Sequence, residues 1–114
     1  MKPGMIVFDN LQLNPQELKT LMDSGEKILL LDVRESDEYN FCKIFGSFNF
    51  PLTTLLQNLD KIDSNMPIVT ICHHGIRSMK ALMILKENGF ENIASLRGGV
   101  EAWALAIDPT MKRY

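Results

Sequence analysis

Three short apolar runs restrict what this chain can fold into more than anything else in it. Ile28-Leu29-Leu30-Leu31 lies within Lys27–Val33, and Ile68-Val69-Thr70-Ile71 and Ile93-Ala94-Ser95-Leu96 follow it. Each run is too short for a helix and none alternates cleanly between apolar and polar, which is the pattern of a strand buried on both faces. β-branched residues dominate the second run and strengthen that reading. Segments with helical spacing fall between the runs, so the chain reads as an α/β domain with a mainly parallel sheet.

The helical segments carry their own stop and start signals. Asn14-Pro15-Gln16-Glu17 combines a capping side chain, proline at the first helical position and a carboxylate three residues after the cap. Leu18, Leu21 and Met22 then fall on one face, and Gly25 closes the segment. Ser36–Tyr39 reads as a short helical turn capped by Ser36, Ser47–Phe50 as a short strand ending at Pro51, and Thr53–Leu59 as a small helix. Arg77–Asn88 is helical, with Ser78, Ala81, Leu82 and Leu85 on one side and Gly89 as terminator. Gly98-Gly99 turns the chain into a last helix, Val100–Leu105, which ends at Asp108-Pro109. Asp108–Tyr114 has no pattern that assigns it a place; covering the sheet edge and lying free in solvent both suit it.

The 114 residues correspond to one domain, able to bury roughly two-thirds of the surface of its unfolded chain. A net charge of −2 gives no general attraction for nucleic acid or an acidic membrane, so any anion must be held by local groups. No stretch approaches the roughly 20 apolar residues of a membrane span. Met1–Asn10 is too short and too mixed for a signal peptide, which favours the cytoplasm. Two cysteines, Cys42 and Cys72, suit a reducing compartment better than a disulfide framework, and they pair only if the fold brings them within reach.

The chemistry concentrates in Ile71-Cys72-His73-His74-Gly75-Ile76-Arg77-Ser78. A buried strand delivers a cysteine into a short glycine-containing loop that opens into a helix. Free backbone N–H groups at such a helix start favour a thiolate. An ordinary thiol with a pKa of about 8.5 is only about 3% ionised at pH 7. Making the thiolate the majority form takes roughly 2.7 kcal/mol of differential stabilisation. Inward-facing N–H groups from His73 to Ser78 are the candidates to supply it, with Gly75 allowing the tight turn. Arg77 either neutralises an anionic donor or fixes the loop through its guanidinium fork.

Taken together, Leu31-Asp32-Val33-Arg34-Glu35, Glu38-Tyr39, Ile44-x-Gly46-Ser47-x-Asn49-x-Pro51, Cys72-x-x-Gly75-x-Arg77-Ser78 and Leu96-x-Gly98-Gly99-x-x-Ala102-Trp103 resemble a single-domain rhodanese. The likeness covers roughly Leu13 to Trp103. One departure is that Cys42 and Lys43 stand where this family usually carries Gly-His. The resemblance implies a rhodanese-like three-layer domain of about five mainly parallel strands with helices on both faces. It also implies a sulfurtransferase that carries sulfane sulfur as a Cys72 persulfide, without a cofactor or a metal. The donor would be thiosulfate or a protein persulfide, and the acceptor a thiol or a cyanide-like nucleophile. Four residues separate Cys72 from Arg77, as in sulfurtransferases. Phosphatases of similar fold have one residue more, a ring wide enough to surround phosphate.

Rival readings attach to several of these residues. The domain as a whole also reads as a non-catalytic binding module, or less readily as a cysteine phosphatase. Cys42 reads as a core residue rather than a resolving thiol. His73 and His74 read as pocket wall rather than proton carriers, with their rings pointing in different directions. Cys72-His73-His74 is a poor metal set, because adjacent residues converge badly on one tetrahedral ion. Asp32 and Arg34, which follow the strand that the resemblance places beside the active-site strand, read as a supporting ion pair. Trp103 reads as packing for the last helix.

Overall fold

A computed structural model describes residues 5–114. Residues 1–4, part of the stretch read above against a signal peptide, lie outside the described residues. The elements in chain order are β1 (Gln12–Leu13), α1 (Pro15–Asp23), β2 (Leu29–Asp32), α2 (Ser36–Phe41), β3 (Phe48–Asn49), a 3-10 segment (Leu52–Lys61), β4 (Ile68–Ile71), α3 (Ile76–Glu87), β5 (Ile93–Leu96) and α4 (Gly99–Ala106). All neighbouring strands are parallel, in the order β1-β5-β4-β2-β3. The three apolar runs are the three central strands.

Strand periodicity divides the core in two. Leu30, Val69, Ile71, Ala94 and Leu96 face one side and pack with Leu18 of α1 and with Val100 and Trp103 of α4. Leu31, Ile68 and Ile93 face the other, with Leu55 and Ile62 in and after the 3-10 segment and Ala81, Leu82 and Leu85 of α3. The alternation follows from successive side chains in a strand pointing to opposite faces. It yields the three-layer α/β architecture, with helices on both faces.

The sheet order also determines where a site can form. From β2 the chain moves outward to β3 in one direction, and from β4 outward to β5 in the other. The loops leaving the carboxyl ends of β2 and β4 therefore diverge, and a crevice opens between them. Asp32 pairs in register with Ile71, so the residues just beyond them, Val33-Arg34 and Cys72-His73, border that crevice.

Local details depart from the sequence reading in instructive ways. Asn14 caps α1 as expected: its Oδ1 accepts the Glu17 N–H at 2.8 Å and its own N–H donates to Glu17 Oε1 at 2.9 Å. α2 is capped by Glu35 and not by Ser36, because the extended Glu35 turns its N–H toward Glu38 Oε2 at 3.0 Å and Ser36 is already helical. β3 holds two residues instead of four. Ser47 folds back on Ile44, with both its N–H (3.1 Å) and its Oγ (2.7 Å) directed at the Ile44 carbonyl, and so leaves the ladder. Thr53–Leu59 lies within a longer segment that is 3-10 and not α. Cys42 and Cys72 belong to opposite faces of the sheet and are both free thiols.

Candidate active site

β4 ends at Ile71 and places Cys72 on the α3 side of the sheet, where its side chain is 1% exposed. The thiol lies over a small polar cluster. Cys72 Sγ is 3.4 Å from Ser78 Oγ, which is 2.7 Å from Ser95 Oγ, and Thr70 Oγ1 donates to the Ser78 carbonyl at 2.9 Å. All three hydroxyl residues are buried. The Gly75 N–H points at Sγ from 3.0 Å. Of the N–H groups expected to turn inward, this is the one at hydrogen-bond distance, and it lies just ahead of the first turn of α3. The partial positive charge of that helix end acts in the same direction.

Two glycines give the loop its shape. Gly75 has φ = 109°, a left-handed conformation that side chains rarely adopt, and a Cβ there would lie 3.3 Å from the Gly98 nitrogen. Gly99 has φ = 59°, and a Cβ on it would overlap the Cys72 and His73 carbonyl oxygens. This close approach lets the first amides of α4 reach the loop. Val100 N–H donates to the Cys72 carbonyl at 2.9 Å and Glu101 N–H to that of His73 at 3.2 Å. The Gly98-Gly99 motif thus clamps the cysteine loop from behind.

Arg77 turns its guanidinium fork toward α2. It forms a two-pronged pair with Glu38 of α2, Nη1 to Oε2 at 2.6 Å and Nη2 to Oε1 at 2.9 Å. The pair holds the Glu38 carboxyl at about 2, well below its ordinary 4.5, and keeps Arg77 charged. Glu38 therefore stabilises the fold fully above its unfolded value near 4.5, and that contribution disappears as pH falls toward about 2. Both side chains are partly exposed, which makes the effect modest and salt-sensitive. In urea titrations the stability advantage of wild type over Glu38→Gln is expected to be flat from neutrality to about pH 5 and to shrink below it. An advantage that grows on acidification would contradict this pairing.

Asp32 and Arg34 form a wholly buried ion pair. Arg34 Nε lies 3.0 Å and Nη2 2.7 Å from the two Asp32 oxygens, and the Arg34 backbone N–H donates to Asp32 Oδ1 at 3.0 Å. Nη2 also reaches the Cys42 carbonyl at 2.6 Å, and Nη1 lies 3.6 Å from Cys42 Sγ. Burial would favour loss of the guanidinium proton, but the contacts with Asp32, Tyr114 and Cys42 outweigh it and shift Arg34 upward.

The histidine rings do not diverge. His73 and His74 lie against each other at 3.9 Å, because a tight bend lacks the opposed side-chain directions of a strand. The other face of the His73 ring is stacked on Tyr114 at 3.8 Å. Burial first, and the neighbouring His74 second, push His73 below the ordinary imidazole range, and its Nε2 is buried without a partner. Ile76 is 71% exposed and contributes apolar surface beside the loop.

Tyr114 and Glu38, like Thr70 and Ser95 beneath the thiol, are residues that the sequence reading left out of the site. Glu38 had a visible signal in the Glu38-Tyr39 pair, quoted above only as part of a motif. Tyr114 had none, since 80 positions separate it from Arg34, to which it hydrogen-bonds.

A profile of the Rhodanese-like domain matches residues 14–106. The chain belongs to this family. Among rhodanese-domain relatives, a probable adenylyltransferase/sulfurtransferase MoeZ of Mycobacterium tuberculosis is 35% identical over 104 residues, covering 90% of this chain and 26% of that protein. The thiosulfate sulfurtransferase GlpE of Shewanella oneidensis is 34% identical over 82 residues, covering 72% of this chain and 81% of that one. A crystal structure of a rhodanese-related protein from Thermoplasma volcanium superposes with a TM-score of 0.76 at 29% identity, covering 84% of this chain and 92% of that one. The chain spans about a quarter of the length of the first curated relatives it matches. No helix among the described residues is long and apolar enough to cross a membrane.

Proposed function

We propose that this rhodanese-like domain is a sulfurtransferase with Cys72 as its nucleophile. The observation that carries the reading is the placement of Cys72 Sγ at the end of β4, 3.0 Å from the Gly75 N–H, in a loop of four residues closed by Arg77. In the first half-reaction the Cys72 thiolate attacks the outer sulfur of thiosulfate or of a protein persulfide. The donor S–S bond breaks, and sulfite or the donor thiolate leaves with the bonding electron pair. Cys72 then carries a persulfide whose terminal sulfur takes the position facing the loop N–H groups. In the second half a thiol or cyanide-like acceptor attacks that sulfur and Cys72 leaves as thiolate. Cys72 is the nucleophile in the first half and the leaving group in the second, so the thiol alone carries the sulfur and no cofactor is called for.

A phosphatase reading fits less well. Four loop residues make a narrow cradle, and the guanidinium that would grip a phosphate is engaged by Glu38. Two free thiols suit the cytoplasm as the place of action. The names of the relatives support the same chemistry, with thiosulfate named for GlpE and sulfur transfer named for the longer adenylyltransferase/sulfurtransferases.

Intact-mass analysis after thiosulfate treatment is the test. One extra sulfur, released by reductant or cyanide and mapped to the Cys72 peptide, is expected. No extra sulfur on the wild-type protein, or sulfur on Cys42 alone, refutes the reading.

A further inference from the structure

We infer that Tyr114 is a positioning residue for the Cys72 loop, its hydroxyl tying the Glu38–Arg77 pair to the buried Asp32–Arg34 pair while its ring fixes His73. The inference rests on the sulfurtransferase reading only in taking Cys72 as the reacting group.

The hydroxyl joins the side chains of two ion pairs that otherwise meet only where Arg34 Nη1 donates to the Glu38 backbone carbonyl at 3.3 Å. It accepts a hydrogen bond from Arg34 Nη1 at 2.9 Å and donates to Glu38 Oε1 at 3.0 Å. Arg34 is wholly buried and locked by Asp32, so one end of this link is immobile. Burial raises the Tyr114 phenol above its ordinary value, and the proton needed for donation to Glu38 stays in place at neutral pH.

Glu38 passes the constraint on. Its Oε1 takes Arg77 Nη2 and the Tyr114 hydroxyl, and its Oε2 takes Arg77 Nη1 and the Glu35 N–H. Each carboxylate oxygen thus has two donors, one from Arg77 and one from elsewhere. The fork to Arg77 sets the two groups relative to each other; the other two donors set where the pair sits on the protein. Losing one of them frees the pair to swing, and with it the cation at the end of the Cys72 loop.

The ring has a second contact with the loop. It is stacked on His73 at 3.8 Å with 13° between the planes, and edge-on to Phe41 at 5.7 Å. The C-terminal strap leading to it, residues 108–114, is tied down independently. Arg113 Nε lies 3.0 Å from Glu101 Oε1 on α4, and Lys112 Nζ stands 5.7 Å from the centre of the Phe41 ring.

The test compares alkylation of Cys72 by iodoacetate and by iodoacetamide, quantified on the Cys72 peptide. The reagents are similar in size and differ in charge. Their rate ratio cancels accessibility and thiolate content, and reports the cationic field at the loop. Tyr114→Phe keeps the ring and removes the link, and is expected to lower the ratio about 3- to 10-fold, the usual worth of one such hydrogen bond. In a Glu38→Ala background the same change is expected to have no further effect, because the hydroxyl acts through Glu38. An unchanged ratio in Tyr114→Phe overturns the inference. So does faster reaction with both reagents at a constant ratio, which would make the strap a simple cover. Persulfide loading of wild type, measured alongside, separates the two readings. A falling ratio in a protein that loads no sulfur sinks the sulfurtransferase alone, and a constant ratio in one that loads normally sinks the Tyr114 role alone.

Discussion

Cys72→Ser is expected to lose sulfur transfer from thiosulfate by at least about a thousand-fold, down to the uncatalysed background. A hydroxyl in place of Sγ would still meet the Gly75 N–H and Ser78 Oγ, so the loop keeps its partners and the change is close to isosteric. What disappears is the chemistry: an alcohol is neither ionised near neutrality nor attracted to sulfane sulfur. Steady-state turnover with thiosulfate and cyanide, with thermal unfolding as the folding control, measures this. Residual turnover above about one per cent in a folded Cys72→Ser protein would move the nucleophile elsewhere, and Cys42 is the other thiol in the chain.

Asp32→Ala is expected to be the most damaging single change to stability among the residues around the site. It leaves the Arg34 guanidinium wholly buried beside an apolar methyl, with the Cys42 and Glu38 carbonyls and the Tyr114 hydroxyl as its remaining partners. Removing one partner of a buried ion pair costs about 3–5 kcal/mol. In a domain of this size that corresponds to a fall in Tm of roughly 10–20 °C. Replacing the pair together, as Asp32→Leu with Arg34→Met, is expected to recover much of that loss, because the penalty comes from the stranded charge and not from the missing attraction. Calorimetry on the two variants decides the matter; if the double replacement melts below Asp32→Ala, the buried pair is itself the source of stability.

Legibility from sequence followed the range of the interactions. The three central strands, the capping box at Asn14 and the buried face Ser78-Ala81-Leu82-Leu85 depend on residues within one turn or one strand, and all were readable. The cysteine loop was readable for the same reason, since strand, glycine, arginine and helix follow one another directly. β1 was not, because two residues form no period and Gln12–Leu13 pairs with Ser95 and Leu96, some 83 positions away. The cap of α2 fell to Glu35 because Glu38, three residues on, accepts the Glu35 N–H, a local box that the hydroxyl of Ser36 masked in the sequence. The distance effect seen at β1 also hid Glu38 and Tyr114 from the site. The resemblance named the fold and the nucleophile; it was silent on the ties between α2, the loop and the strap.

The clamp from α4 bears on when this loop becomes complete. The carbonyls of Cys72 and His73 find their partners in Val100 and Glu101, and the glycine that permits the contact is Gly99. A nascent chain that has reached residue 90 already contains Cys72 to Ser78 and the partners of that stretch in Glu38 and Thr70, but not the two amides that hold the Cys72 and His73 carbonyls. The backbone partners of this loop are therefore the last of its contacts to be synthesised. If Cys72 is the sulfur carrier proposed above, its loop is complete only once the last helix docks, so the order of synthesis leaves the site unfinished until the domain is whole.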